Sequence, residues 1–586
     1  MARPASGVRD FLETLLSKMS TTTSTVPQAA QQTGGQAVVE ALVKCGITSG
    51  FGIPSIHNIG IYDALRQEPA FHHWIVRHEQ AGGFAADGFC RRTGKPAAVF
   101  ASTGPGNLFT LVPLLESLQT NTPVVLIGTN VATPVLDKSC GALHETPQQL
   151  EIIRPLTRFA ARATSPEAIA GIIAQAASAG GPAFVEIPTD LLYAPVANGA
   201  PDTPAASKSS SHAPTASPEQ LSQASAQIEQ SRRPVIILGS GVFHGSTAQS
   251  VRKLAEAIHA PVLTTTSGKG AIADDHPLSM GCISRLGVVQ QLLMESDLLI
   301  SLGAKLTEFD TGRFTLKLPE RHIQIDHDQH HGSLFPATLR LSGELGPIAE
   351  NLSAAAKPRT NWFDVAAARA QERAKFEALK QESFAALVLL RNAMDRDDVL
   401  VNDQSILSYW ASAFFPVLEP RTFLYPTGSG TLGYGLPAAI GVACASPKRR
   451  VICIAGDGGF QYTSHELATL AQYRLPVKVL LVNDNAYGII GFLQRSMFGH
   501  THEVDLKNPD FCRLAEAYGI QADRVSNLAG LQQKISHWLD SPGPAVLEWQ
   551  TVLKAPWEVG AIHRPANLPL PADAPLPAGA PLKEQR

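Results

Sequence analysis

Short apolar runs alternate with longer amphipathic stretches along most of the chain, and this alternation predicts repeated strand–helix units. Residues 97–101, 124–128 and 183–187 are compact apolar runs, as expected of parallel strands that are buried on both faces. Residues 36–45, which precede them, have the spacing of an amphipathic helix. Residues 35–195 are therefore predicted to form an α/β domain with a parallel sheet.

The same alternation returns twice further along the chain. The predicted strands are residues 234–238, 261–265, 298–302 and 323–325 in a second unit, and residues 399–402, 450–455 and 477–483 in a third. The second unit covers residues 219–355 and the third covers residues 396–560. A long helical segment at residues 363–394 lies in the connecting region, residues 356–395. The whole pattern predicts three consecutive doubly wound α/β domains with parallel sheets.

Three segments lack this alternation. Residues 1–34 are rich in Ser, Thr, Ala and Gln, and they are predicted to be a disordered extension without the apolar core of a secretory signal. Residues 196–218 are rich in Pro, Ser and Ala, which is typical of an exposed linker. Residues 561–586 repeat Pro with Leu and Ala, so a mobile tail is expected there.

Charge and composition exclude several classes of function. The 48 basic and 51 acidic residues are mixed along the chain and give a formal net charge of −3, so no domain has the basic stripe of a nucleic-acid binder. No apolar run approaches the roughly 20 residues that a membrane-spanning helix needs. The seven cysteines are widely spaced without a Cys-x-x-Cys pair, which favours reduced thiols. We therefore expect a cytoplasmic protein that has neither nucleic acid nor membrane as a partner.

An acidic residue among glycines follows one predicted strand of the third unit. Asp457, with Gly458 and Gly459 behind it, comes at the carboxyl end of strand 450–455, where α/β sheets bind ligands and glycines let amides approach phosphate. Asp484 ends the next apolar run, at a spacing that fits one strand–helix–strand crossover. The two carboxylates should then meet at one sheet edge and share a Mg²⁺ that also binds a diphosphate. A single aspartate there would more often cap a helix.

With these motifs, residues 35–548 resemble the thiamine-diphosphate-dependent family of acetolactate synthases, 2-oxo acid decarboxylases and benzaldehyde lyase. The resemblance implies thiamine diphosphate and Mg²⁺ as cofactors, and it implies pyrimidine-binding, central and diphosphate-binding domains in that order. The implied metal ligands are Asp457, Asp484 and the backbone carbonyl of Ala486, although the family has Asn where this chain has Asp484. The residues expected to contact the cofactor are Pro54, Gly430, Leu432, Asp457, Gly458, Gly459, Asp484, Ala486, Tyr487 and Gly488.

Two further segments are similar to motifs of this family. Residues 77–88 resemble its activating motif, which implies that the Glu79 carboxyl binds N1′ of the aminopyrimidine and helps C2 of the cofactor lose a proton. In the glycine-rich segment 427–437, Leu432 is the implied wedge that bends the cofactor, and the carbonyl of Gly430 accepts from its 4′-amino group. In isolation, a surface glutamate and a glycine-rich turn before a helix are the alternatives.

Two histidines match positions where relatives place substrate-facing residues. His57 and His144 could each relay a proton or hold a substrate carboxylate, and a packing role is the alternative for each. Pocket residues that set specificity could include Ile489, Ile490 and Leu493. The motifs look closer to the branch of 5-guanidino-2-oxopentanoate decarboxylase than to biosynthetic acetolactate synthase, and the substrate stays open.

The resemblance implies decarboxylation of a 2-oxo acid, followed by protonation to an aldehyde or by ligation to a second carbonyl as in acetolactate synthase. Alternatives are a carbon–carbon lyase acting on 2-hydroxy ketones, a non-catalytic cofactor-binding relative and a flavoprotein oxidase. Gly239 and Gly241 leave FAD open as a second cofactor, although a tight turn is the favoured interpretation. Since family geometry places Glu79 and the diphosphate site on different subunits, the expected assembly is a homodimer at least and a homotetramer by analogy.

Overall fold

The computed structural model describes residues 31–197, 216–244, 247–327, 334–357 and 359–562. The predicted extension, linker and tail lie mostly outside these residues. Among the described residues, those up to Cys90 and from Lys95 to residue 197 form one compact unit, and Arg91–Gly94 with all later residues form the other. Within the part of the chain that is described, no helix combines the length and the apolar character needed to cross a membrane.

The first unit contains a parallel six-stranded sheet in the order β2-β1-β3-β4-β6-β5. Its strands are β1 Ser49–Gly52, β2 His72–Ile75, β3 Ala97–Ala101, β4 Val124–Asn130, β5 Phe159–Arg162 and β6 Ala183–Pro188. Its helices are α1 Gly34–Lys44, α2 Ile59–Gln67, α3 Glu79–Thr93, α4 Pro105–Phe109, α5 Leu111–Thr120, α6 Gln149–Ile153 and α7 Ala168–Ala177. Every residue of β3, β4 and β6 is buried, which confirms the predicted buried strands. Thr33 and Gln36 form a capping box that starts α1.

The second unit carries two sheets, of which the first corresponds to the predicted central domain. Its strands are β7 Pro234–Leu238, β8 Val262–Thr264, β9 Ser279–Cys282, β10 Leu298–Leu302, β11 His322–Asp326 and β12 Leu339–Ser342. Its helices are α8 Pro218–Gln230, α9 Thr247–Ile258, α10 Val288–Glu295 and α11 Leu345–Ala354. The order β12-β11-β10-β7-β8-β9 is that of a doubly wound dinucleotide-binding sheet.

The third sheet has the order β14-β13-β15-β16-β18-β17, which repeats the order of the first sheet strand for strand. Its strands are β13 Val399–Asn402, β14 Phe423–Leu424, β15 Val451–Gly456, β16 Val477–Asn483, β17 Gln521–Val525 and β18 Ala545–Gln550. Its helices are α14 Ile406–Phe414, α15 Gly435–Ala445, α16 Asp457–Gln461, α17 Leu467–Tyr473, α18 Gly488–Phe498, α19 Phe511–Ala517 and α20 Leu528–Asp540. Three parallel α/β sheets are thus present, as predicted.

The segment between the second and third sheets was predicted to form one long helix, and the structure differs from that prediction. It forms two helices, α12 Val365–Ala378 and α13 Glu382–Ala393. Lys380 adopts a left-handed backbone (φ 47°) between them, which ends the first helix. Phe376 of α12 then packs against Trp410 and Phe414 of the third domain, so tertiary packing determines the break.

Candidate active site

The strand order of the third sheet reverses between β13 and β15, and ligands of open α/β sheets bind at such reversals. Asp403 directly follows β13, and Asp457 directly follows β15. Strands β15 and β16 pair in parallel with Gly456 opposite Val482, so Asp484 lies at the same edge as Asp457. The predicted meeting of Asp457 and Asp484 at one sheet edge is therefore confirmed.

The carboxylates of Asp457 and Asp484 are neighbours, and each lies within the electrostatic influence of the other. Burial raises the pKa of Asp457, which is 3% exposed. Burial, and then the neighbouring charge of Asp457, raises the pKa of Asp484 to about 6. Two carboxylates in such contact repel each other when both are ionised, and a divalent cation between them removes the repulsion. This all-oxygen donor set fits Mg²⁺. The backbone N–H of Ala486 donates to Oδ1 of Asp484 at 3.3 Å and fixes that side chain.

Two glycines are required by the crowding around these carboxylates. A Cβ atom on Gly488 would lie 2.3 Å from Oδ2 of Asp484, and one on Gly458 would lie 2.6 Å from Cε1 of Tyr487. Neither distance is sterically allowed, so any larger residue would displace a carboxylate or the tyrosine ring. Glycine at both points therefore lets the backbone pack closely against Asp484 and Tyr487.

Asp403, which no sequence motif marks, holds the glycine-rich turn before α15. Its buried carboxylate accepts hydrogen bonds from the backbone N–H groups of Gln404 (2.7 Å), Gly435 (2.9 Å) and Gly433 (3.1 Å). Burial raises the pKa of Asp403 to about 6, and the three N–H donors oppose that rise by stabilising the charged form. Asp403 thus ties the end of β13 to the start of α15.

The turn held by Asp403 presents the two residues that the family resemblance nominated. Gly430 adopts a left-handed backbone (φ 64°), which favours glycine at this position. Cδ2 of Leu432 lies 3.5 Å from the point that a Cβ on Gly459 would occupy. The glycine-rich turn therefore passes close to the Asp457 edge at Leu432 and Gly459.

Asn508 is the second residue of this site that sequence spacing did not reveal. Its Nδ2 donates to Oδ2 of Asp457 at 2.6 Å and reaches Oδ1 of Asn483 at 3.0 Å and of Asn485 at 3.3 Å. Its own Oδ1 accepts from Gln461 at 2.7 Å. Asn508 lies in the loop between α18 and α19, 51 positions from Asp457, where no strand end or motif marks it.

Helix α18 starts at the same edge and carries the residues proposed for the substrate pocket. Ile489 packs partly against the apolar core of the third domain. Leu493 is half-buried, and Ile490 is 45% exposed. These positions leave apolar side chains beside the Asp484 edge, where a substrate could contact them.

Glu79, Pro54, His57 and His144 lie in the first unit. The half-buried Glu79 is the first residue of α3, and its Oε1 lies 3.1 Å from the point that a Cβ on Gly106 would occupy. Gly106 follows β3, which adjoins β1 at the strand-order reversal of this sheet. Glu79 therefore lies at the first sheet's own ligand-binding edge.

The two histidines nominated from the sequence pack against each other. The ring centroids of His57 and His144 are 4.9 Å apart. Burial, and then the neighbouring His144, lowers the pKa of His57. Nδ1 of His57 is buried and has no hydrogen-bond partner among the described residues. Gly104 fits beneath the His144 loop, since a Cβ there would lie 2.2 Å from the His144 carbonyl oxygen. Pro54, just before His57, is exposed.

Comparison with known proteins agrees with this geometry. The chain matches the N-terminal TPP binding domain of thiamine pyrophosphate enzymes at residues 32–152, their central domain at residues 221–352 and their C-terminal TPP binding domain at residues 403–549. It is 32% identical to a probable 2-ketoarginine decarboxylase of Pseudomonas aeruginosa, across 90% of this chain and 96% of that protein. The chain belongs to the thiamine-pyrophosphate-dependent enzymes. Both cofactor-binding domains are present, which supports thiamine diphosphate as the cofactor of this TPP enzyme.

Acetolactate synthases are also similar to this TPP enzyme. The chain is 30% identical to a probable acetolactate synthase large subunit of Methanocaldococcus jannaschii, across 88% of this chain and 91% of that protein. It is equally identical to the large subunit of acetolactate synthase isozyme 1 of Escherichia coli, across 88% of this chain and 93% of that protein. Its relatives therefore include proteins named as a decarboxylase and as acetolactate synthases.

In the central domain of this TPP enzyme, the two glycines considered for FAD form a tight turn. A Cβ on Gly239 would lie 2.0 Å from the carbonyl oxygen of Gly303, and one on Gly241 would lie 2.7 Å from the Cα of Gly303. Ser240–Phe243 form a single turn of 3₁₀ helix at this point. Close packing of two backbones accounts for both glycines without a nucleotide.

Proposed function

We propose that this TPP enzyme holds thiamine diphosphate through Mg²⁺ and decarboxylates a 2-oxo acid. The observation that carries the proposal is the contact between the Asp457 and Asp484 carboxylates at the strand-order reversal. The carbonyl of Ala486 would complete the protein ligands of the metal. Asp484 stands in place of the family's Asn and adds a negative charge to the site. Binding of the diphosphate should therefore depend more strongly on Mg²⁺, which neutralises that charge.

When bound, thiamine diphosphate supplies the carbon nucleophile that adds to the 2-oxo group and accepts the electron pair released as carbon dioxide leaves. The carboxyl of Glu79 would hold a proton beside the aminopyrimidine nitrogen. Leu432 and the Gly430 carbonyl would hold the pyrimidine ring. His57 and His144 hold the proton that the product carbon takes up, because histidine exchanges protons near neutral pH.

We assign protonation to an aldehyde as the main outcome, and 2-ketoarginine as the first substrate to test. The relative named for 2-ketoarginine decarboxylation and the adjacent His57 and His144 rings support this choice. Ligation to a second carbonyl is the other candidate outcome, because the 30% identical acetolactate synthase subunits favour it. The neighbouring helix α18 would supply the pocket residues that decide between them.

The proposed assembly is a homodimer at least, with Glu79 reaching the cofactor that a second chain holds at Asp457. The two residues lie in separate compact units of the chain, each at the ligand edge of its own sheet. A twofold axis between two identical chains would pair Glu79 and Asp457 reciprocally and give two equivalent sites, so we expect a dimer or a dimer of dimers. Sedimentation velocity would measure the assembly, and a monomer with full activity would contradict it.

The reaction is tested with a panel of 2-oxo acids, namely pyruvate, 2-oxobutyrate, benzoylformate and 2-ketoarginine, each with thiamine diphosphate and Mg²⁺. Carbon dioxide, aldehyde and 2-hydroxy ketone are measured together. Aldehyde in proportion to carbon dioxide supports the main proposal, and 2-hydroxy ketone or acetohydroxy acid supports ligation. No carbon dioxide from any substrate, with cleavage of benzoin instead, would favour a carbon–carbon lyase. A yellow preparation that consumes oxygen would favour an oxidase.

The role of Glu79 is tested with Glu79→Gln, which keeps the shape of the side chain but cannot exchange a proton. We expect kcat to fall by roughly 10² to 10⁴-fold, while thiamine diphosphate still binds with nearly unchanged affinity. Glu151→Gln, at an exposed glutamate of the same unit, is the matched control and should keep full activity. Unchanged turnover in Glu79→Gln would remove Glu79 from the mechanism.

A further inference from the structure

A buried glutamate in β18 lies behind the metal site without contacting it. Glu548 is 1% exposed, and its Oε1 accepts from Nδ2 of Asn483, the last residue of β16, at 2.7 Å. Its Oε2 accepts from Nε of Arg524 in β17 at 2.7 Å, which balances the buried charge. Glu548 therefore fixes which way the Asn483 amide faces, because only the NH₂ group of an amide can donate to a carboxylate.

The fixed orientation of Asn483 is transmitted to a proposed metal ligand. Because the NH₂ group of Asn483 faces Glu548, its Oδ1 faces the opposite side, where it accepts from Nδ2 of Asn508 at 3.0 Å and from the backbone N–H of Asn485 at 3.0 Å. Nδ2 of Asn508 in turn donates to Oδ2 of Asp457 at 2.6 Å. A continuous chain of hydrogen bonds thus runs from Glu548 to the Asp457 carboxylate.

The first unit repeats the start of this arrangement. Glu186 in β6 is fully buried, and its Oε1 accepts from Nδ2 of Asn130, the last residue of β4, at 2.9 Å. Its Oε2 pairs with Arg162 of β5. Register is the same in both sheets, since Arg162 lies opposite Glu186 as Arg524 lies opposite Glu548. Each Oε1 also accepts from a second amide, that of Gln149 at 2.8 Å for Glu186 and that of Gln550 at 3.2 Å for Glu548. The difference is that no aspartate at a proposed metal site follows at Glu186.

We propose that Glu548 is a positioning residue for the metal site, acting through Asn483 and Asn508 to hold the Asp457 carboxylate in the orientation that binds Mg²⁺. The inference rests on the proposed function, because it assumes that Asp457 is a metal ligand. Partners that orient metal ligands in this way typically change metal affinity by about 10- to 100-fold when removed. Glu186 has the same chemistry without the metal site, so it supplies a control within the same chain.

Glu548→Gln breaks the chain of hydrogen bonds while leaving the packing almost unchanged. The glutamine amide has one oxygen and one NH₂ group, whereas the present carboxylate accepts from Asn483 on one oxygen and from Arg524 on the other. Arg524 has only donors, so it takes the glutamine oxygen and leaves the NH₂ group facing Asn483. The Asn483 amide must then turn over, and its Oδ1 is lost as an acceptor for Asn508.

The test measures binding of Mn²⁺, as a paramagnetic substitute for Mg²⁺, to the full-length protein with thiamine diphosphate, using the electron paramagnetic resonance signal of free Mn²⁺. We expect the Kd for Mn²⁺ to rise by about 10-fold in Glu548→Gln and to change less than about twofold in Glu186→Gln. Each substitution removes the negative charge that pairs with an arginine, Arg524 for Glu548 and Arg162 for Glu186. Both variants should therefore lose thermal stability. Equal Mn²⁺ affinity in the two variants would overturn the inference.

A second variant keeps the test decisive if Glu548→Gln does not fold. Asn508 lies in a loop outside the sheet, and Asn508→Ala removes the hydrogen bond that reaches Asp457. The Kd for Mn²⁺ should rise by a similar factor in this variant. An unchanged Kd would contradict the proposed chain of hydrogen bonds. Binding of Mn²⁺ by the wild-type protein distinguishes a failure of the proposed function from a failure of the proposed role of Glu548. If it binds no Mn²⁺ with thiamine diphosphate, the proposed function fails. If it binds Mn²⁺ and the variants bind equally well, only the role of Glu548 fails.

Discussion

At the scale of single residues, sequence spacing located the carboxylates and missed the side chains that orient them. Asp457 and Asp484 could be predicted because each follows an apolar strand and one crossover separates them. Asp403 and Asn508 could not, since their roles depend on hydrogen bonds to residues 32 and 51 positions away. A lone aspartate or asparagine in a turn has many uses, and spacing alone does not distinguish them.

Gly488 provides a residue-scale test of the crowding around Asp484. In Gly488→Ala the added Cβ would lie 2.3 Å from Oδ2 of Asp484, so the carboxylate must move. We expect affinity for thiamine diphosphate with Mg²⁺ to fall by at least about 10-fold, as for other displaced ligand orientations. Gly491→Ala lies on the same helix with its nearest contact at 3.4 Å, on the flexible Arg495 side chain, and should bind normally. Calorimetric titration measures both, and equal affinities would contradict the proposed crowding.

At the scale of elements, the strands named from continuous apolar runs were predicted almost residue for residue, whereas edge strands and the buried strand β18 were not predicted. Strands β7, β10 and β13 match their predicted bounds because continuous apolar runs mark strands that are covered on both faces. The edge strands β2 and β17 carry exposed and polar residues, so no apolar run identified them. The break between α12 and α13 was also missed, because packing rather than a Gly or Pro signal causes it.

Asp403 supplies an element-scale prediction because it joins β13 to α15. In Asp403→Asn the single amide oxygen can keep the N–H groups of Gln404 and Gly433 as donors, so the N–H of Gly435 loses its acceptor, at a cost of about 1–3 kcal/mol. We expect the free energy of unfolding to fall by that amount and the stabilisation by thiamine diphosphate to shrink, since the turn carries Leu432. Urea unfolding with and without cofactor measures both effects.

The control for Asp403→Asn is Asp364→Asn, at an aspartate that caps α12 on the surface by accepting from Ala367 at 2.9 Å. Asparagine caps helices about as well as aspartate, so a change within roughly 0.5 kcal/mol is expected. Cofactor-dependent stabilisation should be normal in this variant. A normal cofactor effect in Asp403→Asn as well would mean that the turn does not contribute to binding.

At the scale of the whole molecule, the first and third sheets share one strand order, and each brings its nominated residues to its own ligand edge. Glu79 lies on the first sheet's edge and Asp457 on the third's, in separate compact units. Strand ends and glycines in the sequence predicted the Asp457 edge, whereas the role of Glu79 and its place on a different chain came only from the family resemblance. That assignment is a property of the assembly, and complementation between inactive chains can measure it.

If each site takes Glu79 from one chain and Asp457 from another, two inactive variants should restore each other. Glu79→Gln and Asp457→Asn, co-expressed and randomly assorted, give mixed dimers in which one of the two sites has both native residues. Half of the dimers are mixed, so about a quarter of wild-type activity is expected from this symmetry. Each variant expressed alone is the control and should stay inactive. Sites built within single chains would leave the mixture as inactive as its components, because no chain then carries both residues.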